Sequence, residues 1–323
     1  MGAETAKPTN APGSFLSRVT SGKIKKPNIF LIYGPEGSGK STFGSEAEAP
    51  IFLEGEEGTK DLNVNRLPRP KTWDDVMAAT TEIVDGAHDF KTLVVDTVDW
   101  LEPLNWRRVC LDDPKKPKNI DEAAGGYNKG YGVALELWRE FYTLLAKARD
   151  IRDMTILVLA HAKAIEFNDP ATLAPYMRYT LGVSDRNQYS AAKFWKEAAD
   201  GVFFLNRDIS VAGKDKGARG LDDGLQYLFT ERRPAFDAKN RLGLPEKIML
   251  PRGASYKALM DAIANSNSED PEVIIRNIKN LQDQLAVPEQ KALVTTRLAE
   301  YGKDVDKLKV LRGKVETILQ QAA

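Results

Sequence analysis

The sequence has 323 residues, of which 42% are hydrophobic and 28% charged, proportions that are ordinary for a soluble globular protein. Because 46 basic residues balance 46 acidic ones, no global charge draws the chain to nucleic acid or to a membrane, and any nucleic-acid surface must be a local patch. The single cysteine, Cys110, excludes an internal disulfide and a cysteine-based zinc site, and a reducing, cytoplasmic location is expected. No apolar run approaches the ~20 residues that span a bilayer, so no membrane partner is expected.

Residues 1–26 carry prolines, glycines and scattered lysines with little hydrophobic periodicity, which predicts a flexible N-terminal arm. One apolar pair, Phe15 and Leu16, interrupts this polar segment. We interpret the pair as a contact that docks the arm on its own domain, with insertion into a neighbouring subunit as the alternative.

Residues 29–33 are apolar and predict a buried strand. The segment from Gly34 to Ser41 that follows matches the phosphate-binding pattern G-x-x-x-x-G-K-[ST]. Its glycines let backbone N–H groups turn toward a phosphate, and a helix that begins near Gly39 adds its positive amino end. The pattern predicts that a nucleoside triphosphate is bound by Gly34, Pro35, Glu36, Gly37, Ser38, Gly39, Lys40, Ser41 and Thr42.

Two side chains of this loop have expected chemical roles. Lys40 reaches the β- and γ-phosphates and is a candidate catalytic residue. The Ser41 hydroxyl is a candidate ligand of Mg²⁺. ATP and Mg²⁺ are therefore the expected cofactors.

The segment 49–53 predicts a second buried strand that ends in an acidic turn. Glu54, Glu56 and Glu57 follow its last apolar residues, at the sheet edge where open α/β folds bind ligands. One of these carboxylates can orient the water that attacks the γ-phosphate. A solvated acidic turn is the alternative, and spacing alone leaves the two readings open.

A Thr-x-x-Asp sequence predicts a capped helix over 72–85, and an apolar run over 91–96 follows it. The run ends in Asp96, which is the Walker B pattern of an apolar strand whose terminal aspartate holds Mg²⁺ through water. Asp99, shortly after it, is a further candidate acid.

Residues 154–160 predict another buried strand, and His161 follows it directly. If this strand lies between the P-loop strand and the strand that ends in Asp96, His161 lies near the γ-phosphate and can sense it. A purely structural histidine is the alternative. Upstream, Tyr127 and Lys129 lie in a glycine-rich turn that either presents them to a ligand or to DNA, or simply starts a long helix over 133–150.

Residues 201–205 and 225–229 predict two further strands. The segment between them carries glycines and the cations Lys214, Lys216 and Arg219, which are candidate DNA-binding residues because such a loop can track a phosphate backbone. An exposed solvated loop is the alternative. Cations within 231–241 include candidates for a finger that reaches a neighbouring subunit's triphosphate.

A polar break over 265–271 predicts the end of a core domain over 27–265. The remaining segment, 266–323, is expected to form a small helical subdomain. Its helices are predicted over 271–285, 288–301 and 305–320, and prolines lie near the starts of the first two helices.

Several classes of P-loop protein fit these motifs. Nucleotide kinases need an arginine-rich lid that is not evident here, and AAA+ motors and helicases usually carry Asp-Glu where this chain has Asp96-Thr97. The run from Leu93 to Val98 resembles instead the RecA-type Walker B. In that family the catalytic glutamate follows the second strand, so the resemblance implies Glu56 as the base. The same resemblance implies His161 as the phosphate sensor, in place of the usual glutamine.

The chain from Phe30 to about Ile248 is similar to phage-encoded AAA-type nucleotide-binding proteins, and it most resembles the RecA-like subgroup of Sak single-strand annealing proteins. The resembling segments are the turn with Tyr127, the sequence Leu-Ala-His161-Ala-Lys, and the stretch 233–241. The resemblance implies an α/β fold, a RecA-like P-loop core with a mainly parallel central sheet flanked by helices, plus a small C-terminal helical appendage.

The resemblance also implies a function. The expected activity is ATP hydrolysis stimulated by single-stranded DNA, at interfaces between the subunits of a homo-oligomeric ring or filament, in DNA annealing or strand exchange. A single-strand-binding protein is a candidate partner, and the expected location is the cytoplasm of a phage-infected bacterium. Two rivals stay open: an ATPase that remodels or packages a protein partner, and a non-catalytic nucleotide switch.

Overall fold

The computed structural model describes residues 15–19, 26–169, 174–212, 219–267 and 271–322. Within these ranges the chain forms one large sheet with helices packed on both faces. Its strands are Ile29–Gly34 (β1), Pro50–Glu54 (β2), Asn65–Arg66 (β3), Thr92–Asp96 (β4), Thr155–Phe167 (β5), Tyr176–Leu181 (β6), Gly201–Ala212 (β7), Arg219–Phe229 (β8) and Lys247–Leu250 (β9).

The sheet has the strand order β3-β2-β4-β5-β1-β7-β8-β9, and β6 pairs with β5 outside this path. All neighbours from β3 to β7 pair in parallel, whereas β8 is antiparallel to both β7 and β9. β5 lies between β1 and β4, which is the arrangement on which the sequence argument about His161 depended. The carboxyl ends of the central strands therefore share one edge of the sheet.

Helices cover both faces because the central strands are apolar on both. In β1, Ile29, Leu31 and Tyr33 join one hydrophobic cluster, and the alternate residues Phe30 and Ile32 join the other. The helices are Lys40–Ser45 (α1), Trp73–Asp85 (α2), Val98–Asp112 (α3), Lys129–Arg152 (α4), Ala191–Ala198 (α5), Ser255–Asn267 (α6), Pro271–Gln284 (α7), Pro288–Tyr301 (α8) and Val305–Ala322 (α9).

Helices α2, α4 and α5 cover the first face with large aromatic side chains. Trp138 of α4 packs edge-to-face against Trp73 of α2 at 5.1 Å and against Trp195 of α5 at 5.4 Å between ring centroids. On the opposite face, Phe43 of α1 packs against Tyr256 of α6 at 5.9 Å. Each such pair adds about 1 kcal/mol beyond its buried area, so the helices that flank the P-loop strand are held firmly.

The C-terminal helices α7, α8 and α9 have a hydrophobic cluster of their own. Ile274 and Ile278 of α7 are buried against Leu308, Leu311 and Val315 of α9, and Val294 of α8 completes the cluster. These helices match the three that the prolines and the periodicity predicted. No helix within the described ranges is long and apolar enough to cross a membrane.

Most predicted elements are confirmed, and the predicted capping box of α2 is present. The Thr72 hydroxyl accepts a hydrogen bond from Asp75 N at 3.1 Å, and the Asp75 carboxylate accepts one from Thr72 N at 2.9 Å. The predicted fold class, an α/β RecA-like core with a mainly parallel sheet flanked by helices and a C-terminal helical appendage, is confirmed.

The structure differs from the expectations in three segments. β5 does not end before His161 but continues to Phe167 and pairs with β6, which the sequence did not predict. β7 and β8 extend well beyond the predicted strands into a long hairpin. In the arm, we expected the Phe15 ring to dock on the core. The ring is instead 85% exposed.

Candidate nucleotide-binding site

The P-loop lies between the carboxyl end of β1 and the amino end of α1, as its sequence pattern requires. Gly37 and Gly39 have φ values of 72° and 89°, a backbone region that side chains rarely occupy. Gly39 is the N-cap of α1, so the positive end of the helix opens directly onto the loop. The local geometry is that of an anion cradle.

Lys40 is folded back onto the loop. Its Nζ atom donates hydrogen bonds to Gly34 O at 3.1 Å and to Pro35 O at 2.9 Å, and its side chain is buried. Burial lowers the pKa of Lys40, while the nearby carboxylates of Asp96, Asp99 and Glu56 raise it. The ammonium group is thus desolvated and lies within the field of several acids, which prepares it for the negative charge of a phosphate.

Asp96 ends β4 and lies deep in the site. Burial raises its pKa to about 6, although a hydrogen bond from the Ser41 hydroxyl and the charge of Lys40 both lower it. Its Oδ2 atom is buried and receives no hydrogen bond from the described residues. A buried carboxylate oxygen without a donor fits a hydrated Mg²⁺ ion, so the residues predicted to hold the metal, Ser41 and Asp96, suit it.

The three glutamates after β2 have different surroundings. Glu54 is buried, accepts a hydrogen bond from the Thr59 hydroxyl and lies 3.5 Å from Arg66 Nε. Glu57 is mostly exposed and lies 3.6 Å from Arg69 Nη1. Of the three, Glu56 is the one that lies near His161, with its Oε1 atom 3.9 Å from Nε2 of that residue.

His161 lies opposite Gly34 in the β1–β5 register, at the same edge as the P-loop. Its backbone N–H donates to Asp99 Oδ1 at 2.8 Å, and its Nδ1 lies 2.8 Å from Asp99 Oδ2. The hydrogen bond to Asp99 is the largest of the causes that raise the pKa of His161, while burial opposes it. Because Nδ1–H donates to the Asp99 carboxylate, the other ring nitrogen, Nε2, faces Glu56, and it can donate a hydrogen bond when the imidazole is charged.

The predicted nucleotide-site residues are therefore grouped as the motifs required, and the proposed DNA contacts stay predictions. Lys40, Ser41, Asp96, Glu56 and His161 all lie at the carboxyl edge of the central strands. Lys214 and Lys216 lie outside the described residues. Arg219 begins β8, and its side chain is likewise outside the described part of the chain.

Two features of the site were not predicted from the sequence. Gln226 of β8 donates from Nε2 to Ser38 O at 3.1 Å, and it approaches Gly39 so closely that a Cβ there would lie 2.7 Å from Nε2. Asp99 was noted as an acid, but its bond to His161 was not foreseen. The position of Asp99 in the first turn of a helix after Walker B was the only local signal.

Together, the fold and this site define a P-loop nucleotide-binding protein with an α/β core. A family model described as "AAA domain" matches residues 26–242, and the chain belongs to this AAA-domain family. Among solved structures, the crystal structure of the RadB recombinase is similar at 14% identity and a TM-score of 0.34, over 71% of this chain and 90% of that one. No curated protein matches the sequence.

Proposed function

We propose that this protein is an ATP-dependent, single-stranded-DNA-binding protein of the RecA-like type that acts in DNA annealing or recombination. The observation that supports catalysis best is the convergence of Glu56 and His161 beside Lys40 at one sheet edge. The resemblance of the sequence segments supports three further parts of the proposal: single-stranded DNA as the ligand, membership of the Sak subgroup, and a phage context. Assembly into a ring or filament belongs to the same proposal.

Each residue of the site has a separate role in the proposed hydrolysis of ATP. Lys40 exchanges its two carbonyl partners for phosphate oxygens when ATP binds. Glu56 orients the attacking water and accepts its proton, and His161 donates from Nε2 to the γ-phosphate. Mg²⁺, held by Ser41 and Asp96, supplies neutralising charge for the phosphates when it is bound.

Hydrolysis between subunits needs a cation that is exposed on the monomer. In the stretch 232–241, Arg233 is bonded to Glu246, and Lys239 donates to the carbonyl groups of Lys196 and Glu197. Arg232 is 61% exposed and lies 3.9 Å from Asp237, so it is the better candidate for reaching a neighbouring triphosphate. Lys214, Lys216 and Arg219 stay predicted DNA contacts, and a single-strand-binding protein stays a candidate partner.

One observation favours the rival in which the ATPase acts on a protein partner. Leu293 of α8 and Val310 of α9 are both more than half exposed on the C-terminal helices. Apolar side chains at such positions can contact another protein. ATP turnover that rises with a protein partner and not with any nucleic acid would favour this rival.

The substitution Glu56→Gln tests the catalytic proposal. Because an amide cannot accept the proton of the attacking water, turnover should fall by about 10²–10⁴-fold while ATP binding is retained. The measurement is steady-state ATP hydrolysis with single-stranded DNA present, together with nucleotide binding by calorimetry.

The matched control is Glu57→Gln, in the same turn but exposed and near Arg69. This variant should hydrolyse ATP at the wild-type rate. Unchanged turnover in Glu56→Gln would remove Glu56 as the base and would support the nucleotide-switch alternative.

A further inference from the structure

A groove runs over the surface beside the nucleotide site, and the sequence motifs had singled out only the turn with Tyr127, which is close to it along the chain. It consists of two adjoining cavities of about 490 Å³ and about 400 Å³. The first lies between α3 and the loop 116–121, and the second lies between α3 and the residues around β5 and β6. Both cavities share Trp106 and Tyr131, so we name this surface the Trp106 groove.

The groove carries an excess of cations. Its cationic side chains are Arg107, Lys116, Lys118, Lys163 and Arg186, whereas its carboxylates are Glu102, Asp121 and Asp185. Two of these carboxylates already have hydrogen-bond donors. Glu102 accepts from the backbone N–H and the hydroxyl of Ser184, and Asp121 accepts from the Tyr131 hydroxyl. An anionic chain would therefore be attracted to the groove.

Aromatic rings lie among these charges. Trp106 packs edge-to-face on Tyr131 at 5.7 Å, and the Arg186 guanidinium lies 5.2 Å from the Tyr131 ring centroid. An apolar cluster beneath the loop, including Val109 and Ile120, supports this arrangement. Apolar walls with a few cations suit a flat ring that carries a phosphate.

Tyr127 adds a second, independent observation. It lies outside the lining of both cavities, in the turn that leads into α4 and four residues before Tyr131 of that lining, and its side chain is 92% exposed. Its φ of 53° is unusual for a residue with a bulky side chain. The loop thus holds a large aromatic ring in water, where its face is open to stacking with a base.

We propose that the Trp106 groove binds single-stranded nucleic acid, with phosphates at Arg107, Lys118 and Arg186 and unpaired bases against Trp106 and Tyr127. This inference rests on the proposed function and names the surface that would carry it. A single strand fits because its unstacked bases can enter a cavity of this size, whereas a duplex keeps its bases stacked inside.

The groove and the nucleotide site share helix α3. Asp99 of α3 holds His161, and Glu102, one turn later, holds Ser184 in the wall of the groove. Gly182 N also donates to His161 O at 2.7 Å. Single-stranded DNA that shifts this wall therefore acts on His161. By thermodynamic reciprocity, the factor by which bound DNA changes the affinity for ATP equals the factor by which bound ATP changes the affinity for DNA.

Binding of a labelled oligothymidylate of about 16 nucleotides, followed by fluorescence anisotropy with ATP present, tests the groove. Tyr127→Ala should weaken binding about tenfold because a stacking surface is lost. Tyr127→Phe keeps the ring and should bind like the wild type. The double variant Arg107→Ala/Lys118→Ala should lower the slope of log affinity against log salt by about 0.7 for each lost phosphate contact.

Lys147→Ala is the control for charge loss, because Lys147 is exposed on the same helix as Tyr131 but about 24 Å further along it. Its binding and salt slope should match the wild type. Circular dichroism melting reports whether each variant is folded, and cross-linking of a bromodeoxyuridine oligonucleotide to the wild type locates the contact without any substitution.

Failure of the proposed function and failure of the groove as the binding surface give different experimental results. A wild-type protein that binds no single strand at low salt would overturn the proposed function itself. A wild type that binds, with Tyr127→Ala and the double variant binding equally well and cross-links mapping elsewhere, would overturn the groove and leave the function standing. Equal affinity for a duplex of the same length would also contradict the inference.

Discussion

At the scale of single residues, Asp99 and His161 form the most informative pair in the site. Burial on its own raises the pKa of Asp99, but the hydrogen bonds from the side chain and backbone of His161 outweigh it, and the net pKa is lowered. The pKa of His161 is raised by the same contact. Both shifts favour the charged pair, so the contact stabilises the fold as well as orienting Nε2.

The signs of these shifts define a pH window. The contribution of Asp99 is fully present above its unfolded pKa near 3.8 and is lost as pH falls through the folded value. The contribution of His161 is fully present below its unfolded pKa near 6.5 and is lost as pH rises through the folded value. The pair is therefore strongest between about pH 4 and 6.5.

Asp99→Asn should reduce the free energy of unfolding by about 2 kcal/mol within that window, because a hydrogen bond to a charged group is lost. The difference from the wild type should shrink as pH rises through the folded pKa of His161. Urea denaturation over a pH series measures it. Asp261→Asn, which loses an exposed pair with Lys257, should show a small effect at every pH. A loss in Asp99→Asn that does not vary with pH would contradict the ionic account.

The residue scale also shows where sequence reasoning stops. Lys40, Ser41 and Asp96 were predictable because a loop or a strand end fixes each of them locally. Gln226 was not, since it is 188 residues from Ser38, to which it donates. Such a contact depends on β8 being built out from β1 through β7, which no local pattern encodes.

At the scale of elements, Glu46 links the P-loop helix to a distant one. It is the C-cap of α1, and its carboxylate accepts hydrogen bonds from the backbone N–H groups of Gly253, Ser255 and Tyr256 at the start of α6. These are N–H groups that a helix cannot satisfy internally, and the negative charge of a carboxylate there interacts favourably with the positive end of the helix dipole. Glu46 therefore caps α6 from another element.

Glu46→Ala should destabilise this junction by about 1–2 kcal/mol, since the cap and its charge are both removed. Amide hydrogen exchange should become faster at residues 253, 255 and 256. The control is Glu48→Ala, two residues away and exposed, whose exchange rates at α6 should not change. Unaltered protection in Glu46→Ala would show that the cap does not hold α6.

Elements with strong local signals were predicted, and those that depend on distant pairing were not. The helix α2 has its own capping box, and the buried strands have unbroken apolar runs. β6 lacks such a run and exists because β5 extends past the sheet edge to pair with it. The same extension makes one wall of the Trp106 groove, so this wall could not be predicted from the sequence.

At the scale of the whole molecule, a nucleotide site, a cationic groove and a separate helical cluster are joined in one chain. The sheet brings the catalytic candidates to one edge, and α3 connects that edge to the groove. The proposed coupling requires that occupancy of the groove be felt at His161. ATP turnover should then depend on single-stranded DNA.

The most direct test is the steady-state rate of ATP hydrolysis by the full chain, with and without saturating single-stranded DNA. The account predicts a rate that rises with a single strand, rises less with a duplex, and loses its stimulation as salt weakens the phosphate contacts. A turnover rate that is the same with and without single-stranded DNA at low salt would contradict the central claim.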